Sequence, residues 1–135
     1  MAFSDTVKRV MELADVIQKF WDVELPKRHP TYPIIGPGEE PGPPPPEEDD
    51  LRALLESLPP DDLYLLLALD ELGWGVATAG DIGALQRHAR EQYPDLDIII
   101  DWIAETPVRL SFVPDGLRVL SAAGVDVDHL PVPVA

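Results

Sequence analysis

Cysteine is absent from the 135 residues, which excludes disulfides, a thiolate nucleophile and cysteine-ligated zinc, and fits a reducing compartment. Cations are scarce. Ten Lys and Arg stand against 25 Asp and Glu, a formal net charge of −15, and a surface of that sign repels phosphate backbones. Nucleic acid is therefore not an expected partner. No run free of charged residues approaches the roughly 18 that a membrane-spanning helix needs, so no membrane contact is expected. The first residues lack the basic start and apolar run of a secretory signal, and the expectation is a cytoplasmic, bacterial-type protein. There is no G-K-S/T phosphate loop, no H-E-x-x-H, no G-x-S-x-G and no calcium loop, so no cofactor and no enzyme class is implied.

Proline, by contrast, is abundant. Of the 16 prolines, nine lie between Pro26 and Pro46, with Gly36, Gly38 and Gly42 among them. Such a stretch is neither helix nor central strand, and as a polyproline-like arm it would reach roughly 60 Å. Tyr32, Ile34 and Ile35 are its only large apolar groups and hence its contact points, unless the arm is a solvated linker. Around it the chain divides into an amino-terminal helix over 1–25, the arm over 26–46, an acidic helical domain over 47–130 and a tail over 131–135. The length suits one domain with one modest core.

The first segment reads as an amphipathic helix from Ser4, a plausible N-cap, to Leu25. Val7, Val10, Met11, Ala14, Ile17, Trp21 and Leu25 recur three or four apart on one face. Pro26 is expected to end it. After the arm, Glu47 to Asp50 favour a helix start, and Leu51, Leu54, Leu55 and Leu58 form a stripe. Pro59-Pro60 opens a Leu-rich helix with little polar surface, for which Gly73 is the expected stop. Thr78 and Asp81 resemble a capping box before a helix to about Tyr93 with Ile82, Leu85 and Ala89 inward. Leu96, Ile99, Ile100 and Ile103 keep helical spacing. Residues 107–113 alternate as a strand would, although Thr106-Pro107 is a helix start, and 114–123 reads as a last helix closed by Gly124. The fold class expected is all-α: a small orthogonal helical bundle with an amino-terminal amphipathic helix joined by a proline-rich extended arm.

Four constellations invite chemistry. His88 lies seven residues after Asp81, nearly on one helical face, and is the best general-base candidate, without a nucleophile beside it. Asp126, Asp128 and His129 offer oxygen and imidazole ligands for a divalent metal, or simply a polar tail. His29, in Lys27-Arg28-His29-Pro30, is either a grip for an acidic partner or a solvated helix end. Gly73-Trp74-Gly75 has the first two glycines of a dinucleotide loop, but Thr78 stands where the third belongs. Trp74 is then either a contact residue of the kind that dominates binding energies or core filler. A winged helix built from 60–105 and a strand at 108–112 is a further possibility. Its recognition helix would carry Asp95, Asp97, Asp101 and Glu105 without a Lys or Arg, which points to a protein partner rather than DNA.

The order of an amino-terminal helix, a proline-rich spacer, Leu58-Pro59-Pro60-Asp61 before a Leu-rich helix, Leu72-Gly73 with Gly75, and Thr106-Pro107 before Gly116-Leu117 resembles the bacterial domain-of-unknown-function family 3775. Trp74 stands where that family usually has Arg, and Arg109 and Ser111 where it is more apolar. The resemblance implies an all-helical fold and no activity, cofactor or catalytic residue.

The sequence thus suggests a non-enzymatic protein–protein interaction module, an adaptor or accessory subunit. Val7, Val10, Met11, Ile17, Trp21, Tyr32, Ile34, Ile35 and Trp74 would meet another protein or a second copy of the chain. A lone helix is marginal in water, and its apolar face needs cover. The alternatives are a small hydrolase or metal-dependent enzyme using His88 or the Asp126, Asp128, His129 cluster, and an acidic nucleic-acid mimic or winged-helix-like regulator.

Overall fold

The computed structural model describes residues 2–28, 42–75 and 77–130, and among them it is all-helical with no strand. Six α-helices follow one another: α1 (Phe3–Arg28), α2 (Pro46–Glu56), α3 (Pro60–Trp74), α4 (Ile82–Gln92), α5 (Leu96–Glu105) and α6 (Val113–Ala122). Short 3-10 turns at Ala79–Asp81, Pro107–Leu110 and Val127–His129 connect or close them. The alternating segment at 107–113 is thus a 3-10 turn and a helix start, and the winged arrangement has no wing. Pro107 fixes a helical φ at the first position, and the Arg109 and Ser111 amides are taken by the carbonyls of Thr106 and Val108.

Helix α3 is the centre, flanked by α4 and α6. Leu63, Leu66, Leu69 and Leu72 are fully buried along it, and its polar residues are few because neighbours cover most of its circumference. Gly73 does not end this helix. It lies inside α3 where α6 crosses: a Cβ at Gly73 would fall 2.0 Å from the Phe112 carbonyl oxygen, and one at Gly116 would fall 2.1 Å from that of Leu69. Glycine at both positions lets the two backbones touch. Gly75, at φ 93°, supplies the left-handed cap instead. The α3–α4 contact is tied by Gln86, whose amide donates to the Asp61 carbonyl at 2.8 Å, by the Arg90–Asp61 ion pair, and by the Tyr64 hydroxyl donating to the Tyr93 carbonyl at 2.7 Å.

Helix α1 belongs to the same core. Val7, Val10, Leu13 and Ile17 are buried together with leucines of α2 and α3, and α1 packs on α2 and on the 3-10 turns at 107–110 and 127–129. The expected division into a docking helix over 1–25 and a separate domain over 47–130 is therefore corrected to one hydrophobic body. Pro26 does not stop the helix either. A proline in the last turn removes a single helical bond, and Arg28 holds that turn: it pairs with Glu24 at 3.3 Å and lies 5.4 and 5.6 Å from the ring centroids of Phe20 and Trp21. Arg28 also donates to the Pro43 carbonyl at 2.9 Å. The two described ends of the proline-rich stretch thus meet, and the residues between them lie outside the described ones.

Candidate functional site

Of the nine expected contact residues, Val7, Val10 and Ile17 lie at 0–2% exposure in the chain's own core. The apolar face exists as expected, but its cover is intramolecular. Met11 and Trp21 are partly buried against the same core. Tyr32, Ile34 and Ile35 lie outside the described residues, as does His29. Of the described ones, Trp74 alone is open, at 67% exposure.

Trp74 is not isolated. It stands at the end of α3, and its ring centroid is 6.5 Å from that of Phe112, at the start of α6. The two border a groove of about 350 Å³ that continues past Leu67 and Val108 to Tyr93 and Trp102, whose centroids are 5.5 Å apart. Beyond these a second hollow of about 370 Å³ shares Tyr93 and Trp102 and reaches Ile98, Asp101 and Glu105. Val108, Ile98 and Phe112 are 56%, 62% and 40% exposed. Together they make a continuous aromatic and aliphatic face, drawn from α3 on one side and from residues between 93 and 112 on the other.

Charge is arranged around this face. The Arg109 guanidinium stacks on Trp102, 3.6 Å from the ring centroid. Asp70 and Glu71 line the groove at the Trp74 end. Asp70 Oδ1 accepts from the Phe112 amide at 2.9 Å, which pins the first residue of the α6 turn to α3. Burial pushes the Asp70 carboxyl above its ordinary value, and the Phe112 bond offsets only part of that. Trp74, among the sequence candidates, leads to this site. Tyr93, Trp102, Val108, Arg109 and Phe112 are not found as a group from sequence, because nothing in their spacing brings them together.

The chemical alternatives are placed differently. His88 is exposed on α4. The Asp126, Asp128, His129 cluster is a piece of helix capping. Asp128 accepts from the Ser4 amide at 2.8 Å and from its hydroxyl at 2.6 Å, while Asp126 accepts from the Asp128 amide at 2.9 Å and lies 2.6 Å from His129 Nδ1. Ser4 is therefore a donor inside the first turn of α1, not its N-cap. These bonds hold the Asp126 and Asp128 carboxyls below their ordinary value. Among the described residues no group of three His, Asp or Glu is placed to hold a metal. No described helix is long and apolar enough to cross a membrane.

No family model, no curated protein and no solved structure matches the chain.

Proposed function

We propose that the protein is a non-enzymatic interaction module that docks another protein through the Trp74 face. The carrying observation is that Trp74, at 67% exposure, opens onto a groove shared with Phe112, Tyr93, Trp102 and Arg109. Tryptophan, tyrosine and arginine are the residues over-represented where binding energy concentrates, and aromatic side chains bring large contact area with few torsions to freeze. The apolar stripe of α1, already covered, no longer supplies a docking surface. Membership of family 3775 and a cytoplasmic location belong to this proposal, and neither adds a reaction.

The experiment is quantitative affinity capture from a native extract with the wild-type chain, Trp74→Ala, and Val23→Ala as the control for an exposed apolar residue elsewhere. Val23 is 59% exposed on α1. Proteins held by wild type and Val23→Ala but lost with Trp74→Ala are the expected result. Equal capture by all three would defeat the reading.

A further inference from the structure

We propose that the groove receives a cationic side chain, arginine or lysine, from a partner segment whose neighbouring residues are apolar. This deepens the docking function proposed above and rests on it. Aromatic faces attract cations through the negative charge of the ring faces, and Arg109, stacked 3.6 Å over Trp102, shows that this surface takes a guanidinium. Trp74 and Phe112 have no cation over them among the described residues.

The charge lining agrees. Asp70 and Glu71 at one end and Asp101 and Glu105 at the other face a single lining cation, Arg109. Asp101 is paired with Arg52, whereas Asp70, Glu71 and Glu105 have no ion pair among the described residues. Asp70 uses Oδ1 for the Phe112 amide, and its second carboxylate oxygen is left for an incoming donor. A half-buried carboxylate with a pKa raised by burial gains most from a cation that returns the missing solvation. The exposed Val108 and Ile98 supply apolar contact on either side of the aromatic rings. A second copy of the chain is the poorer occupant, because its own charge of −15 would face the same carboxylates.

Two synthetic peptides test the inference: acetyl-Leu-Arg-Leu-Leu-Arg-Leu-amide, and the same peptide with citrulline, a neutral isostere, in place of both arginines. Binding is followed by NMR on the full chain, reading the indole N–H groups of Trp74 and Trp102 and the backbone amide of Phe112, the last two of which remain as probes in Trp74→Ala. The arginine peptide should bind about tenfold more tightly or better, with shifts centred on Trp74 and Phe112. That preference should shrink below about twofold in the Asp70→Asn/Glu71→Gln double variant; Asp70→Asn keeps an acceptor oxygen for the Phe112 amide. Trp74→Ala, a surface change that leaves the core intact, should abolish binding. Equal affinity for the two peptides, binding of neither, a preference that survives the double variant, or Trp74 shifts that follow protein concentration alone would each overturn the inference. Where the peptides fail but Trp74→Ala still loses its captured proteins, only the cationic chemistry falls. Where Trp74→Ala captures as wild type does, the docking reading falls with it.

Discussion

Asp128 caps a helix to which it is not joined in sequence: its carboxylate accepts both the amide and the hydroxyl of Ser4, at 2.8 and 2.6 Å, and so satisfies the first turn of α1 from the far side of the chain. These two bonds are the main reason its carboxyl is held below the ordinary 3.8. A lowered folded value means that the unfolded chain binds the proton more readily. The stabilisation is present above the ordinary carboxylate range and is lost as pH falls through the folded value. Asp128→Asn is expected to reduce the acid-side slope of stability against pH, measured by urea denaturation between about pH 2 and 6. An unchanged slope would show that the contact is not held in solution.

Asp70 should behave with the opposite sign. Burial raises its folded value above 3.8, so its contribution favours folding at low pH and is lost as pH rises from the ordinary value through the folded one. Asp70→Asn keeps an acceptor for Phe112 and removes the charge. It is expected to raise the urea midpoint at pH 7 relative to wild type, and a lowered midpoint would contradict this account.

The crossing of α3 and α6 depends on two missing side chains. Gly73→Ala or Gly116→Ala drives a methyl group into backbone and is expected to cost about 3 kcal/mol, at the upper end of overpacking. Gly83, where an added Cβ would meet nothing within 4 Å, is the control. Gly83→Ala should stabilise α4 by about 0.5 kcal/mol through lower unfolded-state entropy. Thermal denaturation of the three variants decides it.

Helix α1 is structural over its apolar face. Ile17→Ala is expected to cost about 2 to 4 kcal/mol, as for a large aliphatic group deleted from a close-packed core. Trp74→Ala should stay within about 0.5 kcal/mol of wild type. If Ile17→Ala were neutral, α1 would be undocked in solution.

His88 serves as the check on the enzymatic alternative. Being exposed on α4, it should tolerate His88→Ala within about 0.5 kcal/mol. Any hydrolysis in the wild-type preparation should persist in the variant. Loss of an activity on that substitution alone, with the fold intact by circular dichroism, would restore the hydrolase reading.

The helices are legible where local signals agree. Pro60 with Asp61 and Asp62, the Thr78–Asp81 capping box and the isoleucine periodicity of α5 each fix a start or a face without help from distant residues. What depends on tertiary context is not. Pro26 looks like a stop until Arg28 is seen holding the turn beyond it. Gly73 looks like a cap until Gly116 is placed against the same helix. The stripe from Val7 to Ile17 announces burial but not by whom. At the site, Trp74 stands out through its flanking glycines, whereas Phe112 and Trp102 reach it only through the packing of α3, α5 and α6.

The backbone-to-backbone joint at Gly73 and Gly116 leaves no side chain to act as a cushion, and the indole of Trp74 projects one residue beyond it. A receptor seated on such a fulcrum has little freedom to surrender when a guest arrives. It should discriminate by refusing ill-fitting shapes rather than by moulding itself to them.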